Sequence, residues 1–191
     1  MNDRVQLPLR FSVPLLQEAV GRFDEGEWYP HFVPRNYEGR WSVIPLRGPA
    51  DAQHPVRMCY SDPACDDYAD TPFLERSPYL RQVISAFACR MTSVRLMRLE
   101  AGSRIKEHID PDLNPAAGTV RLHVPILTHG EVHFVLNGKR VVMGAGESWY
   151  LRLSDPHSVE NRGDRARVHL VLDALMNEWL AGMLGREATA I

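Results

Sequence analysis

The residues best equipped for chemistry in this chain are His108, Asp110, His157 and Arg167. Two imidazoles and one carboxylate can occupy one face of an octahedral Fe(II) ion and leave the other positions open, the arrangement that non-haem iron oxygenases require. Alternate side chains on a strand point the same way, so in His108-Ile109-Asp110 both polar residues can reach one metal from a single strand end. His157 would arrive from a distant strand. Three protein ligands leave three positions; 2-oxoglutarate would fill two through its C1 carboxylate and keto oxygen, and dioxygen the last. The far C5 carboxylate of that cosubstrate needs its own anchor. Arg167 suits it, because a guanidinium binds a carboxylate bidentately. Arg121 and His123 are two apart on one predicted strand and can both face inward. His169, two beyond Arg167, can share that face and join the cosubstrate group, although a buried histidine can equally satisfy a backbone carbonyl.

For the substrate, the sequence points to Trp41, Arg47 and Arg95. The first two lie in an irregular stretch, Trp28 to Gly48, that carries a short predicted strand at Trp41 to Leu46 and could cover a pocket, and Arg95 shares the parity of Met97 on a predicted strand. The other polar and aromatic candidates are expected to be structural. His31 and His54 should be solvent-exposed, His129 and His133 at the surface or structural, and Trp149, Tyr150 and Trp179 in the core. Asp62, Asp66, Asp67 and Asp70 lack the order and glycine of a calcium-binding loop and read as a solvated segment.

These residues must be held by a strand-rich frame. From Thr92 onward, short apolar or alternating runs are separated by turn residues: Ser93 to Leu99, Thr119 to Leu127, Val132 to Leu136, Lys139 to Val142, Glu147 to Leu153 and Arg167 to Leu172. Asn137-Gly138 is a strong hairpin signal between two of them. Gly144-Ala145-Gly146 and Asp155-Pro156 supply tight turns. The pattern predicts a mainly β protein, a double-stranded β-helix (jelly roll, cupin-like) with flanking N- and C-terminal helices. Val13 to Phe23 and Pro72 to Phe87 carry apolar residues at helical spacing, Pro49 to Thr71 reads as a long loop, and Asp173 to Leu184 as a closing helix.

Size and charge narrow the field. With 191 residues, 45% hydrophobic and 24% charged, the chain predicts one domain over 1–191, with a helical or irregular cover at 1–91, the β-helix at 92–173 and a C-terminal helix at 174–191. The net charge of −2 offers no electrostatic case for nucleic acid. Cys59, Cys65 and Cys89 form no metal-knuckle spacing and read as reduced thiols. With no signal-like apolar start and no spanning run, a cytoplasmic protein without membrane attachment is expected.

The run Arg95-Leu96-Met97-Arg98-Leu99, Ala101-Gly102, His108-Ile109-Asp110, Arg121-Leu122-His123, Gly146-Glu147, His157 and Arg167-Val168-His169 resembles the aspartyl/asparaginyl β-hydroxylase family of Fe(II)/2-oxoglutarate dioxygenases. The likeness is strong over residues 92 to 173 and weak before them. It implies a jelly-roll core, iron, 2-oxoglutarate and O2, with succinate and carbon dioxide as co-products. It also places the family's cosubstrate arginine at Arg167, and at Arg121 and His123 a pair that helps hold the cosubstrate or substrate carboxylate. The animal members have glycine where this chain has Asp110, so their protein-module substrate does not carry over. Met97 stands where they place a serine that contacts the cosubstrate. Bacterial members similar in size to this chain include free-amino-acid hydroxylases, such as the L-proline cis-4-hydroxylase type. The expectation is therefore a hydroxylase of a free amino acid or small carboxylate-bearing derivative. The alternatives are a peptidyl or carrier-bound Asp or Asn and, from another class, a cupin-like metal-binding protein or isomerase without oxygen chemistry. Oligomeric state is left open.

Overall fold

The computed structural model describes residues 2–59 and 65–185. Its strands, in chain order, are β1 (Arg4–Arg10), β2 (Tyr29–Pro30), β3 (Tyr37–Glu38), β4 (Trp41–Pro49), β5 (Tyr68–Asp70), β6 (Met91–Leu99), β7 (Arg104–His108), β8 (Thr119–Leu127), β9 (Val132–Leu136), β10 (Lys139–Val141), β11 (Glu147–Leu151), β12 (His157–Asn161) and β13 (Arg167–Leu175). Among the described residues they form two antiparallel sheets. The larger runs β1-β11-β8-β13-β6-β4-β2, with β5 also paired to β4, and the smaller runs β10-β9-β12-β7-β3. The helices are α1 (Val13–Val20), α2 (Pro55–Met58), α3 (Pro72–Glu75), α4 (Pro78–Ser85) and α5 (Glu178–Gly185).

Both faces of the large sheet are covered, which is why β6, β8 and β13 read as near-continuous apolar runs rather than clean alternation. Strand periodicity still sorts their side chains. Val94, Leu96, Val120, Leu122, Val124, Val168, Leu170 and Leu172 pack outward with Leu16, Leu74, Leu80 and Leu180 of the helices. Met97, Leu99 and Val171 point inward to meet Ile105, Phe134, Leu136 and Val159 of the small sheet. The polar residues Arg95, Arg121, His123, Arg167, His169 and Asp173 share the parity of that inner set.

Several boundaries differ from expectation. The large sheet recruits β1, β2 and β5 from the N-terminal stretch together with β4, the strand expected at Trp41 to Leu46 and found to run on to Pro49, so the sheets are not confined to 92–173. β1 has only Val5 and Leu7 buried, too short an alternation to stand out, and it is fixed by pairing with β11. Pro49 to Thr71 contains α2 and β5; Asp62 lies outside the described residues. The helix expected over Pro72 to Phe87 is two helices, because Pro78 opens α4 and forces Ser77 out of helical geometry (φ −126°, ψ 76°). β13 runs on to Leu175, so the last helix starts at Glu178; residues 186–191 lie outside the described residues. Asn137 and Gly138 have φ of 52° and 69° and turn β9 into β10 as the sequence predicts. No helix among the described residues is long and apolar enough to cross a membrane.

Candidate metal centre

His108 and His157 face each other across the β7–β12 pairing, in register, with ring centroids 4.2 Å apart. Asp110 sits just past the end of β7 rather than on it, held by its backbone N–H to the Leu153 carbonyl at 2.8 Å. One ligand atom from each of the three lies within 4.8 Å of the others. Each imidazole is oriented by its own strand: His108 Nδ1 lies 2.8 Å from the Lys106 carbonyl and His157 Nδ1 lies 3.0 Å from that of Asp155. A carbonyl only accepts, so both Nδ1 atoms carry the proton and both Nε2 lone pairs are free for a metal. Burial pushes the His157 imidazole down to about 4, which keeps it neutral. Two oriented imidazoles and one carboxylate suit a divalent ion such as Fe(II).

Behind Asp110 lies a buried ion cluster. Arg121 Nη1 donates to Asp110 Oδ2 at 2.9 Å, while its Nε and Nη2 donate to Asp173 Oδ1 and Oδ2 at 2.6 and 3.0 Å. Asp173 pairs with Arg121 because the two are opposite each other in the β13–β8 register. Arg95 donates to Asp173 from one nitrogen and to the Cys59 carbonyl from another, at 2.7 Å. Burial works against the charge on Asp173, but Arg121 and Arg95 outweigh it and hold its carboxyl below the usual range. Sequence reasoning missed Asp173 because it falls in an apolar run at the expected start of a helix. Its parity with Arg167 and His169 was the available signal.

Arg167, His169 and His123 form the second polar group on the inner face. Arg167 is 2% exposed and its Nη2 lies 2.8 Å from His169 Nδ1, which is in turn 3.5 Å from His123 Nδ1. A guanidinium only donates, so His169 Nδ1 accepts. Burial and the neighbouring guanidinium hold both imidazoles well below 6.5, hence neutral. Among the described residues no carboxylate pairs with Arg167, and Arg167 Nε and His123 Nε2 are buried without a partner. His123 Nδ1 faces the accepting His169 Nδ1 and so carries the proton, which leaves its Nε2 an acceptor. The buried donor left unpaired is Arg167 Nε, a costly state, and both residues line the same cavity, about 150 Å³, as the three ligand residues and Met97. A dianionic cosubstrate supplies the acceptor that the Arg167 guanidinium lacks.

Trp41 also lines this cavity, stacked on His31 at 3.5 Å between centroids. His31, expected at the surface, is 7% exposed, sandwiched between Trp41 and Phe32 and pushed by burial to about 3. Arg47 is elsewhere. A register shift between Pro45 and Arg47 turns it to the sheet edge, where it binds Asp70 at 2.7 Å and the carbonyls of Met91 and Tyr68. Phe32, Arg95, Asp110 and Arg121 line both the metal cavity and a neighbouring cavity of about 500 Å³.

The family model for aspartyl/asparaginyl beta-hydroxylase matches residues 23–176. An L-proline cis-4-hydroxylase from Rhizobium meliloti (strain 1021) is 28% identical over 138 residues, 71% of this chain and 48% of that protein, so this chain spans about half the length of the curated relative, which is longer than the similar size expected. Among solved structures, a Pseudomonas putida prolyl-4-hydroxylase superposes with a TM-score of 0.57 at 13% identity, covering 93% of this chain and 94% of the other. An oxidoreductase of the 2OG-Fe(II) oxygenase family from Burkholderia pseudomallei gives 0.56 at 15% identity, covering 91% and 85%. Those two likenesses establish the fold. The family match covers most of the chain, and the chain belongs to the aspartyl/asparaginyl β-hydroxylase family.

Proposed function

We propose that this protein is an Fe(II)- and 2-oxoglutarate-dependent dioxygenase that hydroxylates an unactivated C–H bond of a free amino acid or small carboxylate-bearing derivative. The observation that carries the reading is the pairing, within one cavity, of three converging ligand residues with Arg167, a buried arginine that has no acid partner among the described residues. His108, Asp110 and His157 would hold the iron. Arg167 would bind the C5 carboxylate of 2-oxoglutarate, with His123 beside it in the cavity wall and His169, which does not line this cavity, holding its Nη2. Bound iron with 2-oxoglutarate and O2 supplies hydroxylation, with succinate and carbon dioxide as co-products. The chain's own part is to orient the ligands, neutralise the cosubstrate and exclude water from the cavity. Substrate would approach through the larger cavity, past Arg95 and Phe32, with Trp41 walling the metal chamber. A free amino acid is favoured by family membership together with the name of the curated relative.

Anaerobic titration with Fe(II) and 2-oxoglutarate tests the centre, because a bidentate complex gives a weak visible charge-transfer band. The band is expected in the wild type and should be lost in Asp110→Ala and His157→Ala; no band in the wild type refutes the metal site. Screening protein amino acids and short peptides for substrate-stimulated succinate release tests the substrate class. Stimulation by peptides alone would replace the free amino acid with a peptidyl substrate.

A further inference from the structure

The ion cluster behind Asp110 has a geometry that simple charge compensation does not require. Asp173 is fully buried, on the central strand β13 of the large sheet, and nothing places it in contact with a metal, cosubstrate or substrate. Both its oxygens take the Nε and Nη2 edge of Arg121, a fork-on-fork pairing that fixes the plane of the guanidinium. The remaining Nη1 is thereby aimed at Asp110 Oδ2. That contact occupies one oxygen of Asp110 and leaves Oδ1, 3.9 Å from His108 Nε2, on the side of the histidines. Asp110 needs such a hold. It lies beyond the end of its strand with a side chain 30% exposed, and Arg121 is the side chain bonded to its carboxylate.

We propose that Asp173 is a positioning residue for the metal centre. By locking Arg121 it sets the direction of the Asp110 carboxylate and keeps that carboxylate a one-oxygen ligand. The assignment rests on the metal reading above. It also makes Arg121 a clamp on a ligand, whereas the sequence alone suggested an anchor for a cosubstrate or substrate carboxylate. Oriented partners of this kind behind a ligand typically change metal affinity about 10- to 100-fold when removed.

The test uses Co(II) as the probe, titrated into the full chain at neutral pH without cosubstrate, in competition with a chelator. Visible absorption reports coordination and thermal unfolding reports the fold. Asp173→Asn keeps the shape and removes the charge; it should weaken Co(II) binding about 10- to 100-fold and alter the absorption band. Arg121→Lys keeps the charge and removes the fork, and should do the same. If Asp173 acts through Arg121, the double variant binds no more weakly than the weaker single variant. A purely structural role would lower the unfolding temperature and leave affinity and spectrum unchanged; that result, in folded Asp173→Asn, overturns the proposal. Should Asp173→Asn not fold, Arg121→Lys decides, and wild-type affinity and spectrum there overturn it equally. Asp110→Ala, run in parallel, separates the two readings. If it binds Co(II) as the wild type does, the metal site itself is wrong, whereas a loss there with none in the other variants rejects only the role of Asp173.

Discussion

Replacing Arg167 by methionine should move stability and cosubstrate binding in opposite directions. The side chain is 2% exposed, hydrogen-bonds to His169, and has no carboxylate partner among the described residues. Burial alone pushes its guanidinium down from its ordinary value to about 9. At about 1.36 kcal/mol for each factor of ten, holding that charge without a counter-ion costs on the order of 5 kcal/mol. Substituting a buried charged group by an apolar one of similar length can return about 1–4 kcal/mol, so cosubstrate-free Arg167→Met is expected to be more stable than the wild type by that amount in urea unfolding. The same change removes a charge-assisted bidentate contact worth roughly 2–4 kcal/mol, which corresponds to about 30- to 1000-fold weaker 2-oxoglutarate binding in the anaerobic titration. Two controls follow. 2-Oxopentanoate, which lacks the C5 carboxylate, should bind the wild type about as weakly as 2-oxoglutarate binds the variant, and 2-oxoglutarate should raise the wild-type unfolding midpoint far more than that of the variant. A variant that is less stable and binds 2-oxoglutarate normally would make Arg167 a structural residue and refute this reasoning.

Stability should fall with acid before the carboxylates titrate. His31, His123 and His169 are buried with folded pKa values far below 6.5, so as pH drops through about 6.5 the unfolded chain gains protons that the folded chain does not; stability is full above that point and declines below it. Each histidine costs about 1.4 kcal/mol at about pH 5.5, up to about 4 kcal/mol in all; equal denaturant midpoints at about pH 7.5 and pH 5.5 would contradict their burial as neutral groups. Arg47→Ala should lose about 1–2 kcal/mol of stability through its contacts to Asp70, Met91 and Tyr68 and leave the 2-oxoglutarate titration unchanged; weakened cosubstrate binding without loss of stability would return Arg47 to the site. Gly146→Ala should lower the melting temperature, equivalent to roughly 1–3 kcal/mol, because Gly146 has φ of 77° and an added Cβ would lie 2.4 Å from the Phe11 carbonyl oxygen. An unchanged melting temperature would show that this turn relaxes freely.

The sequence revealed most where residue type and spacing act together. His108, Asp110 and His157 are few, reactive and separated by the distances that strand pairing requires, and the Asn137-Gly138 turn has a local conformational cause. Strands β7 and β12, which carry the histidines, were nevertheless inferred only from the ligand spacing and not from any apolar period. They lie in the smaller sheet, and Arg104–His108 shows one buried apolar residue among polar ones, too sparse to read as a period of two. His31 and Arg47 were misjudged for a related reason. The burial of His31 depends on an aromatic partner across β2 and β4, and the outward turn of Arg47 depends on one irregular step in register; neither is encoded locally. Asp173 was legible in principle, since its parity with Arg167 and His169 put it on the working face, but the surrounding apolar residues mimicked a helix.

The sorting of β6, β8 and β13 into two faces also bears on how the chain finds its fold. Sliding any of these central strands by one residue would drive arginines, histidines or Asp173 into the layer of leucines and valines under the helices, while taking apolar side chains into the metal cavity. Mispaired sheets would thus bury several charges without partners. The residues proposed to work on the cosubstrate and the metal therefore also penalise wrong pairings during folding. Variants in which several of them become apolar would gain static stability and lose that discrimination, and are expected to refold with more off-register, aggregating species than the wild type.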